Sequence, residues 1–248
     1  MAGHSKFKNI MHRKGAQDKK RAKAFSRLGK EISIAVKIGG SDPDKNIRLR
    51  SAINNAKSIN MPKDNINRAI KKGEGNDPNS NYEEIRYEGY GPSGVAIIVD
   101  AMTNNKNRTA SEIRSTFNKY GGNLGETGSV SFNFKRFGKI SLKKEIAEEK
   151  LFEFIIENNS IDFEISEEQY NVFCDSNNLH ILNEKIINEF NVSTTTELIW
   201  KSEVSINVEN DDALRLFKLL DLLEENEDVQ NVSSNFEISE KIMNQLTA

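Results

Sequence analysis

Apolar residues recur every three or four positions along the first part of the chain. Ala22, Phe25, Leu28, Ile32 and Ala35/Val36 line one face of a helix beginning near Asp18, and Gly39-Gly40 closes it. Asp42-Pro43 reads as an N-cap with proline in the first turn of a second helix, whose buried face would be Leu49, Ala52, Ile53 and Ala56. Pro62 opens a third, with Ile66, Ala69 and Ile70 inward and Gly73 just past its end. After the turn-rich Gly73–Asn81 the period changes. Tyr82–Tyr90 and Val95–Met102 read as strands around Gly91-Pro92-Ser93-Gly94. Thr109-x-x-Glu112 reads as the capping box of a helix carrying Ala110, Ile113 and Phe117, and Ser129–Phe134 alternates like a strand.

Further on, strands are expected at Lys139–Leu142, Ile161–Ile165, Tyr170–Asp175 and Thr195–Trp200, with helices near Ile146–Glu157 and Asn183–Phe190. A strand-like Glu203–Val208, an amphipathic helix Asp211–Leu223 and a strand Val229–Ile238 follow. The pattern predicts an α+β protein with two split-βαβ (ferredoxin-like) units behind a helical N-terminal domain. The β-β-α-β of 82–134 lacks an α-β that 203–238 can supply. The expected organisation is therefore a basic helical domain over 1–76, a discontinuous middle domain of 82–134 with 203–238, and a third domain, 138–200, inserted into it.

Charge changes this picture. The chain carries 35 Lys/Arg against 37 Asp/Glu, but residues 1–73 hold 19 basic and 5 acidic side chains, leaving 16 and 32 for the rest. Such asymmetry points to a polyanionic partner for one end of the molecule. The single Cys174 forms no internal disulfide, which suits a reducing compartment. No apolar run reaches the roughly 18 residues that cross a bilayer, and neither a secretory signal nor a transit peptide fits a basic stretch that continues straight into helical periodicity. The expected location is cytoplasmic, with no membrane partner.

Candidate chemistry is thin. His4, His12 and His180 make no pair at metal-ligand spacing, and Cys174 in "FCDSNNLH" reads as a buried, inert thiol at a strand end followed by a loop. "GYGPSG" lacks the Gly-Lys-Ser/Thr of a phosphate-binding loop. No catalytic residue, metal, cofactor or small-molecule substrate is expected. The basic end carries the signal: Lys6, Lys8, Arg13, Lys14, Lys19, Lys20, Arg21, Lys23 and Arg27, with Phe7 as an aromatic available for stacking on a base. Lys63, Arg68, Lys71 and Lys72 form a second group, and Lys135, Arg136, Lys139, Lys143 and Lys144 a third. Phosphate contacts of this kind bind DNA or ribosomal RNA alike.

The opening stretch "GHSKFKNIMHRKGAQDKKRAKAFSRLGKEI", with "MPKDNINRAIKKGEG", "YEGYGPSGVAIIVDAMTNNKNRTASEIR" and "KYGGNLGETGSVSFNF", resembles the YebC-type family. That family is designated transcriptional regulators and includes the mitochondrial translational activator of cytochrome oxidase subunit one. The resemblance implies a cytoplasmic three-domain α+β protein with a helical N-terminal domain and an inserted third domain. It also implies a role either in DNA-binding transcription regulation or in translation at stalled ribosomes. The basic positions Lys6, Arg13, Lys14, Lys19, Lys20 and Arg21 match its N-terminal motif. Phe7 stands where the family commonly has Trp, and Met11 where Lys is common.

Overall fold

A computed structural model describes residues 17–75, 81–166 and 168–238. Helix α1 spans Gln17–Gly39, α2 Ile47–Ser58 and α3 Lys63–Glu74. The buried part of α1 begins late, with Ile32, Ile34, Ala35 and Val36, while Ala22 is exposed. Asn46, rather than Asp42, caps α2. Its carboxamide accepts from the Leu49 amide at 3.0 Å and donates to the carbonyls of Ala35 (2.7 Å) and Gly40 (2.8 Å). A carboxylate cannot donate those two bonds, so Asp42 is left to an exposed turn, where it accepts from the Asp44 amide. Gly73 lies inside α3 and does not terminate it. A Cβ there would sit 2.6 Å from the Ser33 carbonyl and 2.7 Å from Val36 Cβ, so this glycine lets α3 lie close on α1. Ser33 Oγ ties the same contact by donating to the Ala69 carbonyl at 2.9 Å.

From residue 81 the order is β1 (Glu83–Tyr90), β2 (Ala96–Thr103), α4 (Lys106–Lys119) and β3 (Asn123–Leu124). Then come β4 (Phe134–Lys143), α5 (Glu148–Glu157), β5 (Asp162–Ile165), β6 (Gln169–Asp175), α6 (Leu179–Phe190) and β7 (Thr194–Ser202). The chain continues as β8 (Ile206–Asn207), α7 (Asn210–Glu225), β9 (Val229–Ser234) and β10 (Phe236–Glu237). The architecture is α+β. By internal contacts the described residues fall into two compact units, one of residues up to Arg27 with 81–135 and those from Trp200 onward, the other of Leu28 onward through α3 with Arg136–Ile199.

In the first unit a sheet of order β3-β1-β2-β9 contains a split βαβ, β2–α4–β3 with β1 between its strands. Glu83↔Thr103 through Tyr90↔Ala96 fixes the β1–β2 register. Strand β2 is covered on both faces, which explains its continuous apolar run. Ile97 and Val99 pack with Ile113, Phe117, Leu216 and Leu220, while Ala96 and Ile98 meet Val130, Phe134 and Trp200. The N-cap of α4 is Asn105, whose side chain accepts from the Arg108 amide; Thr109 sits a turn inside and is buried, so it caps nothing. Residues 131–133 form a 3-10 turn, not a strand, and β4 begins at Phe134. The last predicted strand divides at Asn235 into β9 and β10, because the Asn235 side chain accepts from the Ala96 amide.

In the second unit the order β5-β6-β4-β7, with connectivity β-α-β-β-α-β, is ferredoxin-like. Its core joins Ile140, Leu142, Leu151, Ile155, Val172, Cys174, Leu182 and Ile186. Helix α2 packs onto this layer. Arg50 pairs with Glu184 at 2.8 Å, and the Asn55 carboxamide bonds both the carbonyl and the amide of Thr196 in β7, at 2.8 and 2.9 Å.

Candidate nucleic-acid interface

Of the predicted contact residues, Lys6, Phe7, Lys8, Arg13 and Lys14 lie outside the described residues. Lys19 and Lys20 fall in the first turn of α1, which is described by its backbone. Arg21 is exposed, with its guanidinium 5.4 Å from the Phe25 ring centroid. Lys23 and Arg27 turn out to serve the fold. Lys23 Nζ and Arg27 Nη2 (2.9 Å) both donate to the Glu224 carbonyl, in the last turn of α7. Carbonyls there lack intrahelical partners and mark the negative end of the helix dipole, so two cations are well placed on them.

Lys63, Arg68, Lys71 and Lys72 are all exposed on α3, whose buried side is Ile66 and Ala69. Arg68, Lys71 and Lys72 fall within about one turn of each other, and α3 thus presents clustered cations to solvent. Arg68 is steadied by the Asn65 side chain and, at 3.4 Å, by the Asp64 carbonyl. In the third group three cations have partners of their own. Lys135 pairs with Glu203, Lys139 with Glu197 at 3.8 Å, and Lys144 sits 5.8 Å from the Tyr170 ring centroid.

The long motifs hold polar anchors that spacing along the chain does not reveal. Glu88, only 1 % exposed, accepts the Val130 and Ser131 amides on one carboxylate oxygen, each at 2.9 Å. Burial pushes its pKa up, but the amides of Val130, Gly128 and Ser131 and the Ser131 hydroxyl outweigh this and hold it below the usual carboxylate range. Tyr90 adds a bond from its hydroxyl to the Ser129 carbonyl at 2.9 Å. Asp228, before β9, gathers the "TNNKNRT" turn: one oxygen accepts from Thr103 Oγ1 (3.0 Å), Thr109 Oγ1 (2.8 Å) and Arg108 Nη2 (2.6 Å). That hydrogen bond and the negative charge raise the Arg108 pKa. Burial, then the charge of Asp228, raises the Tyr87 phenol. Strand β1 carries Glu83, Glu84 and Glu88, and burial alone singles out Glu88 as the anchor. The loop it holds presents Phe132 at 74 % exposure.

Cys174 is fully buried. Burial, then Asp175, pushes its thiol up to about 11, so it is not a nucleophile near neutrality. His180 lies in the first turn of α6 rather than in a loop, with Nδ1 3.1 Å from Ser51 Oγ. Burial keeps its pKa below the ordinary value; Glu184 opposes this and Arg50 adds to it. Among the described residues no group of three or more His, Cys, Asp or Glu is placed to hold a metal ion. No described helix is long and apolar enough to cross a membrane.

A helical N-terminal segment, a split-βαβ sheet and a ferredoxin-like layer together define an α+β protein. The family model for the TACO1/YebC N-terminal domain matches residues 5–76, and that for the TACO1/YebC second and third domain, a transcription-regulator model, matches 82–236. The chain belongs to the TACO1/YebC family. It is also similar to the crystal structure of a conserved hypothetical protein from Aquifex aeolicus, with 44% identity, a TM-score of 0.81, and coverage of 90% of this chain and 93% of that one.

Proposed function

We propose that the protein is a non-enzymatic, cytoplasmic nucleic-acid-binding regulator of gene expression, a DNA-binding transcriptional regulator of the YebC type. The observation that carries this reading is the concentration of 19 basic against 5 acidic side chains in residues 1–73. A polyanionic backbone neutralises such a surface and releases counterions, and the acidic remainder is repelled from it, so that binding is also oriented. The exposed α3 cations Lys63, Arg68, Lys71 and Lys72 support it; Lys23 and Arg27 contribute less, since each already donates to Glu224. A second reading, a translation factor bound to ribosomal RNA, is favoured by the exposed Phe132, because unpaired bases are abundant in folded RNA and stacked away in duplex DNA.

Binding should weaken about 10³- to 10⁵-fold between 50 and 200 mM salt if six to ten phosphates are neutralised. Replacing Arg13, Lys14, Lys19 and Lys20 together by Ala should flatten that salt dependence by roughly three to four units of slope while circular dichroism stays unchanged. An unaltered slope removes these residues from the interface. Crosslinking in cells, followed by sequencing of the bound nucleic acid, separates the two readings: promoter DNA without ribosomal RNA supports the first, and ribosomal RNA the second.

A further inference from the structure

We infer that Phe132 is a preformed stacking platform for an unpaired nucleobase. The inference rests on the nucleic-acid reading above and gives it a chemical class of ligand, single-stranded nucleic acid. The motif Val130-Ser131-Phe132-Asn133-Phe134 alternates as a strand does, yet its aromatic centre faces water. Val130 is 0% and Phe134 7% exposed, both packed with Ala96, Ile98 and Trp200, whereas Phe132 is 74% exposed. The turn that swings the ring outward is fixed on both sides. Glu88 holds the Val130 and Ser131 amides at 2.9 Å, the Tyr90 hydroxyl holds the Ser129 carbonyl at 2.9 Å, and the Asn133 amide closes onto the Val130 carbonyl at 3.0 Å. A ring presented this way has lost little freedom still to lose on binding, which favours affinity.

The surroundings choose between a base and a protein. Residues 125–128 are Gly-Glu-Thr-Gly, exposed and polar, and Gly128 adopts a φ of +94° that favours glycine. The stretch leading to the ring is thus polar, unlike the contiguous apolar patches that mark a hydrophobic protein interface. A rigidly held, exposed aromatic face that follows a polar, glycine-rich stretch suits a stacked base. Helical duplexes keep their bases stacked on each other and offer no such face.

The experiment titrates the full chain, as wild type, Phe132→Ala and Phe132→Trp, with a fluorescein-labelled oligoadenylate and with an RNA duplex of equal length. Phe132→Ala is expected to weaken binding to the single strand roughly 5- to 150-fold, the range of one base–aromatic stack, with the salt slope and duplex binding unchanged. Phe132→Trp is expected to keep the affinity, and its added indole emission to be quenched by the single strand. If the wild type binds the oligoadenylate and Phe132→Ala binds it equally well, the platform is refuted and the nucleic-acid reading stands. If the wild type binds neither ligand at low salt, both fall. If Phe132→Ala alters only the sedimentation behaviour of the protein, the ring belongs to a contact between copies, and the platform is likewise refuted.

Discussion

The two four-stranded sheets are held by different chemistry. The β3-β1-β2-β9 sheet has an apolar core, but its turns are locked by two buried carboxylates: Glu88 on main-chain amides, and Asp228 on two hydroxyls and a guanidinium. The β5-β6-β4-β7 sheet rests on Ile140, Leu142, Leu151, Ile155, Val172 and Ile186, with one inert thiol among them. Apolar cores accept exchanges that conserve volume, whereas a buried carboxylate with three aimed donors accepts almost none. This accounts for where the family-like motifs lie: 87–114 and 119–134 coincide with the polar locks, and no long motif falls within the ferredoxin-like layer.

The contrast can be broken first by truncating Leu151, fully buried in the apolar sheet. Leu151→Ala should cost roughly 3–5 kcal/mol, and urea denaturation should show that cost to be the same at pH 7 and pH 4. A pH-dependent loss would mean that the second sheet hides an ionic element of its own. Asp228→Ala should cost roughly 2–4 kcal/mol, since it removes the acceptor shared by the Thr103 and Thr109 hydroxyls and the Arg108 guanidinium. A cost near zero would show that the apolar cluster alone holds the first sheet.

The finest test is Glu88→Gln. A carboxyl whose folded pKa lies below its unfolded value stabilises the fold above the unfolded value, about 4.3, and that contribution fades as pH falls through the folded pKa. At pH 7 the variant should be roughly 1–3 kcal/mol less stable, and the gap to wild type should narrow on acidification. A gap constant from pH 7 to pH 3 would contradict a charged anchor.

Much of the fold was legible because periodicity reports burial directly: every predicted helix and most strands lie where the 3.6 or 2.0 spacing placed them. The failures have local causes. Val130, Phe132 and Phe134 keep a two-residue period, but sequence spacing does not show that Glu88, over forty residues earlier, captures the Val130 and Ser131 amides and turns that segment into a 3-10 turn. Asn46 displaced Asp42 as a cap because the site needs a donor as well as an acceptor. Gly73 signalled a stop and instead marks a close approach of two helices. For the interface, charge density was readable but commitment was not. Lys23 and Arg27 look like their neighbours in the sequence, and only tertiary structure places them on the end of α7.

The carboxamide of Asn55 carries one more consequence. Strand β7 is an edge of its sheet, and an edge offers unpaired amides and carbonyls on which another chain can lay a strand of its own. By donating to the Thr196 carbonyl and accepting from the Thr196 amide, one side chain occupies the position that a foreign backbone would need for register. The α2 helix therefore also guards the protein against growing, edge to edge, into an aggregate.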